Sequence, residues 1–140
     1  MKSKYSSVIK LRKQQFDKAE ANLTKTRQKL LQYEEELKEA SRTCESLTLA
    51  DKGSVALLRS SLKMQEIARE GKQRIKQKLD LTKKEFAHHQ HLYKKAHLEF
   101  EKIKVLENEE LKKIQKALQK EEEKFIDELA ITRHFNKDKS

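Results

Sequence analysis

The side chains best suited to hold a metal ion are the histidines of His88-His89-Gln90-His91, with His97 further on. His88 and His91 stand three apart, so on a helix both could face one ion. A structural zinc takes four ligands, and no cysteine or matching acidic pair lies at a suitable spacing. His89 instead falls on an apolar stripe. The expectation is therefore a helical surface with no metal site. Glu121-Glu122-Glu123, with Asp127 and Glu128, raises the question of calcium. A calcium loop sets its acids around a glycine-containing turn, whereas these sit inside a helical pattern, so they read as a solvated face. Cys44 lies on an apolar series and reads as a small core residue. The chain has only two glycines, which leaves no phosphate-cradling loop and no strand–turn–helix nucleophile. The sequence therefore predicts no catalytic residue, no cofactor and no enzymatic activity.

These residues sit on long amphipathic segments. From Ser54 to about Phe135 there is no proline, and Gly71 is the only interior glycine. An unbroken helix there would reach ~120 Å at ~1.5 Å per residue. Ile75, Leu79, Thr82, Phe86, His89, Tyr93, Ala96, Phe100 and Ile103 recur at steps of three and four, a stripe that something must cover. An earlier segment supplies a partner. Ile9, Phe16, Leu23, Leu30, Leu37 and Cys44 fall seven apart, with Arg12, Ala19, Thr26, Tyr33, Ala40 and Leu47 between them. The pattern breaks at Ala50-Asp51-Lys52-Gly53-Ser54, where Gly53 can end a helix and Ser54 or Asp51 can cap the next. The expected fold is all-α: an elongated antiparallel two-helix coiled-coil hairpin with a longer second helix. Its single domain comprises a helix over 5–49, a turn over 50–54, a helix over 55–135 and a frayed tail over 136–140.

A turn centred near residue 51 or 52 places residue i opposite roughly residue 103 − i. Ile9 then lies near Lys94, Phe16 near Phe86 or Ala87, Leu23 near Leu79 and Leu30 near Gln73. On that register the first helix is exhausted when the second reaches about Phe100, and some thirty residues continue alone. Heptad positions after Ile103 would be Glu107 and Glu110, yet the apolar residues are Leu111, Ile114, Leu118, Phe125 and Leu129. This stutter relaxes a left-handed supercoil, and it coincides with the expected end of the first helix.

Composition bounds the function classes. Only 35% of the 140 residues are hydrophobic while 40% are charged, which suits a seam between helices better than a globular core. No apolar run resembles a signal-peptide core or a membrane span, and the lone cysteine leaves no internal disulfide, so a cytosolic protein is expected. The net charge of +10 divides into +7 over residues 1–29, −3 over 30–50, +6 over 51–99 and zero over 100–140. Such a surface suits an acidic protein, nucleic acid or anionic lipid. Lys72, Arg74, Lys76, Lys78, Lys83 and Lys84 encircle their helix instead of lining one face, and the aromatics are committed to the seam. Nucleic-acid binding thus has little support beyond charge. The apolar stripe is also too narrow and too committed to favour a membrane surface.

Tyr5-x-x-Val8-Ile9-x-Leu11-Arg12, followed by Ala19 and Leu23, is similar to the opening of the FliJ family of flagellar type III export proteins. Glu123-x-Phe125-x-Asp127-Glu128-Leu129-Ala130, with Arg133 behind it, resembles that family's closing Asp-Glu signature. Length, hairpin layout and basic charge agree across nearly the whole chain. The resemblance implies a non-enzymatic coiled coil similar to the central stalk of rotary ATPases. It would bind a hexameric export ATPase (FliI-like), reach an export-gate protein (FlhA-like) and bind export chaperones, from a cytoplasmic position at the inner-membrane face of the flagellar base. On this reading Leu111, Ile114, Leu118, Phe125 and Leu129, beside Ile9 and Leu11, contact the ATPase ring. Leu57, Leu58 and Leu62, in excess near the turn, contact the gate. A generic coiled coil that self-associates and a basic nucleic-acid or membrane-surface binder are the alternatives.

Overall fold

The computed structural model describes residues 3–47 and 53–139 of the chain. It is an all-α helical hairpin: α1 spans Ser6–Ser46 and α2 spans Val55–Lys139. Ala50, Asp51 and Lys52 of the expected turn lie outside the described residues. Where the sequence suggests a frayed tail after residue 135, α2 runs on through Lys139, with neither glycine nor proline to stop it. Contacts divide the chain into two compact units, one joining residues 1–15 to 96–140 and the other comprising residues 16–95.

In the unit of residues 16–95, the buried residues are Leu23 and Thr26 of α1 and Leu79 and Thr82 of α2. A buried hydroxyl must be paired or it destabilises. Both threonines meet this within their own helix: Thr26 Oγ1 donates to the Asn22 carbonyl and Thr82 Oγ1 to the Lys78 carbonyl, each at 2.8 Å. Every other seam position read from the sequence in this unit is half-buried, including Phe16, Ala19, Leu30, Tyr33, Leu37, Ala40 and Cys44 on α1 and Ile75, Phe86, His89 and Tyr93 on α2. The Phe16 and Tyr93 rings meet at 5.3 Å between centroids, and the Arg27 guanidinium lies 5.7 Å from the Phe86 ring centre.

These contacts correct the register. Phe16 meets Tyr93, not Phe86 or Ala87; Lys29 pairs with Glu85 at 3.7 Å, whereas its neighbour Leu30 was expected near Gln73. The helices are offset by roughly two to three turns from the 103 − i rule. The reason lies at the hairpin end. Gln65 Nε2 donates to the Leu47 carbonyl at 3.1 Å, so α1 ends level with Gln65, well after α2 has begun at Val55. Among the described residues no helix lies opposite the first turns of α2, and residues 53–60 are all exposed. Gly53 does take a positive φ, 135°, and a Cβ there would lie 2.6 Å from Leu57 Cδ2. Ser54 caps α2, its Oγ accepting from the Leu57 N–H at 3.3 Å.

Gly71 has no such reason to be glycine. A Cβ added there meets nothing within 4 Å, yet glycine inside a helix costs about 0.5–1 kcal/mol relative to alanine. Gly71→Ala is expected to stabilise the hairpin by that amount, read as a higher midpoint in urea with an unchanged slope. A lower midpoint would contradict the open space seen around this position.

In the unit of residues 1–15 and 96–140, Ser3, just ahead of α1, is buried. Its Oγ accepts from the Tyr5 N–H at 3.2 Å and donates to Glu107 Oε2 at 3.4 Å. Lys4 Nζ lies 3.9 Å from Glu110 Oε2, and Arg12 Nη1 donates to Glu99 Oε2 at 2.8 Å. Ile9, Ala96, Phe100, Ile103, Leu111 and Ile114 are half-buried. The expectation that α1 runs out at Phe100 is thereby corrected. Its first residues reach Glu107 and Glu110, and cover extends to Ile114. The two glutamates hold the heptad positions 107 and 110, so the seam continues through them as a polar layer beside the N-terminus of α1, where negative charge is favoured.

Candidate interaction surfaces

None of the residues screened for chemistry assembles into a reactive site. His88, His91 and His97 are exposed, and no group of three metal-binding side chains occurs among the described residues. His89 takes its place on the seam, with Nδ1 buried and without a hydrogen-bond partner. Cys44 is a half-buried free thiol on α1. Among the described residues, no helix is long and apolar enough to cross a membrane.

Two surfaces stand out instead, both created by the unequal lengths of the helices. The first is the start of α2. Leu57, Leu58 and Leu62 are between 40% and 49% exposed, and Val55, Met64 and Ile67 are more exposed still. Six large apolar residues in thirteen positions, Val55 to Ile67, occupy nearly all sides of the helix. A helix of that kind is normally buried. Met64 and Ile67 escaped the sequence reading because they lie off the stripe. A helical-wheel count around Val55 would have found them.

The second surface is the end of α2. Every described side chain from Gln115 to Lys137 is exposed. Within it, Leu118, Phe125 and Leu129 are between 46% and 62% exposed and prolong the face that α1 covers up to Ile114. Of the other residues expected to contact a ring, Leu11 is exposed, while Ile9, Leu111 and Ile114 are half-buried and present only part of their surface. Ile126, Ile131 and Phe135 add exposed apolar area away from that line. A third, smaller groove runs along α2 between Leu98, Val105 and Leu106, edged by Glu101, Lys102 and Glu109. Leu98 and Val105 are one heptad apart, a spacing legible in the sequence but masked by the stronger seam.

Among the described residues the arrangement offers binding faces. No curated protein and no solved structure matches the chain. The family model described as "Flagellar FliJ protein" matches residues 1–139. With a match that spans essentially the whole chain, this protein belongs to the flagellar FliJ family.

Proposed function

We propose that this flagellar export component is a non-enzymatic, stalk-like coiled coil that engages the hexameric export ATPase (FliI-like) through the uncovered end of α2. In the same reading the exposed start of α2, with Leu57, Leu58 and Leu62, meets the export gate (FlhA-like), and the chain also serves export chaperones. It would work in the cytoplasm, held at the inner-membrane face of the flagellar base by these partners.

The observation that carries the reading is the behaviour of one face of α2. That face is covered by α1 as far as Ile114, then keeps its apolar spacing through Leu118, Phe125 and Leu129 with no partner among the described residues. An amphipathic helix left uncovered in water gains little from such residues, so their stripe suits a protein surface that closes over it. Leu11 is exposed near the start of α1 and could join that contact; Ile9 contributes chiefly to the seam.

Co-purification of the tagged full chain from its native cytosol tests the class. Recovery of a hexameric ATPase in stoichiometric amount is the expected result. Recovery of the chain with itself alone, as a concentration-dependent dimer, would favour the self-associating coiled coil and sink the stalk reading.

A further inference from the structure

The uncovered end of α2 segregates its charges. At about 100° per residue, Glu121 and Glu122 lie within about 60° of the line through Leu118, Phe125 and Leu129, and Glu128 about 80° from it. The five lysines from Lys112 to Lys124 all lie about 120° or more from that line. The apolar stripe is thus edged with carboxylates as far as Leu129, with Arg133 following about 60° from its line, and the opposite side carries the five lysines together with Glu123 and Asp127, a net basic face. Glu121, Glu122 and Glu128 are exposed, and no ion pair among the described residues engages them.

This pattern restricts what can cover the stripe. A second copy packed stripe to stripe would bring Glu121 and Glu122 against each other in an antiparallel pair, or against themselves in a parallel one. Like charges so placed disfavour the complex. A nucleic-acid or anionic lipid surface is repelled for the same reason. A carboxylate that loses water on binding needs a cationic donor in its place. We propose that the surface receiving residues 115–129 is an apolar groove edged by lysine or arginine, with cations level with Glu121 and Glu122 at its centre and with Glu128 further along. This rests on the stalk reading and adds to it the chemistry of the partner's surface.

Two charge-matched variants of the full chain test it against the hexameric export ATPase. Glu121→Lys with Glu122→Lys reverses the stripe side; Glu123→Lys with Asp127→Lys makes the same change in net charge on the opposite side. Both positions are exposed, and circular dichroism checks that both variants keep their helicity. The expected result is that the first variant binds at least tenfold more weakly while the second stays within about threefold of the unmodified chain. Equal effects of the two variants, or unchanged binding by the first, overturn the basic-edged groove and leave the stalk reading standing. Absence of binding by the unmodified chain overturns both.

Discussion

Phe125→Gln combined with Leu129→Gln is expected to abolish stimulation of the export ATPase while leaving the hairpin as stable as before. Both side chains are exposed, 62% and 46%, and neither takes part in the seam, so their loss removes no folded-state packing. Glutamine has nearly the helix propensity of leucine, which keeps the change in fold stability within about 0.5 kcal/mol. The loss should fall on binding. Two apolar anchors at the centre of an interface are each worth about 2 kcal/mol on truncation, so affinity should fall by roughly 1000-fold. Ile131→Gln provides the control: it removes comparable exposed apolar surface on another side of the helix and should change stimulation little. Stimulation by the double variant at the unmodified level would remove the end of α2 from the ATPase contact. If the double variant loses only a dimer seen in sedimentation, the stripe serves self-association.

The two heptad series of α1 and the stripe of α2 were legible because burial leaves few alternatives: a position facing another helix must be apolar, small or satisfied. Thr26 and Thr82 fit this rule through their hydroxyls' bonds to the preceding turn. The register was not legible. Seam positions repeat every seven residues, so sliding one helix by a heptad leaves every apolar residue facing the partner, and pattern alone cannot choose. The choice depends on how the chain turns, and α2 starts well before the level of Gln65, where α1 ends. The same ambiguity made Glu107 and Glu110 look like a break in the seam. Only with Ser3 and Lys4 placed beside them do they become its last polar layer. For the candidate site, the unequal helix lengths were foreseeable from the position of Gly53 and Ser54. The point at which cover ends, Ile114 instead of about Phe100, required the register.

Leu79→Ala should destabilise the hairpin by about 2–4 kcal/mol, the second large effect. Leu79, 6% exposed, is one of two buried apolar side chains among the described residues, and Thr82 on the next turn of α2 is buried with it. Removing three carbons forfeits about 2 kcal/mol of transfer free energy at ~0.8 kcal/mol per methylene, and a cavity term follows. A two-helix seam collapses around a gap more readily than a globular core, which holds the cavity term toward its low end. For a chain of this length the loss corresponds to a fall in Tm of about 8–15 °C, measured by circular dichroism at the helix band. Leu81→Ala makes the same chemical change two residues away, where the side chain is 61% exposed, and should cost no more than about 0.5 kcal/mol. If the two variants melt together, the seam layer around Leu79 does not hold the helices. The contrast also bears on function. The seam derives its strength from a few enclosed residues, whereas the end of α2 has none, and its helix relies on intrinsic propensity until something binds. A face so exposed is suited to a partner that closes around it, and that is the role proposed for Leu118, Phe125 and Leu129.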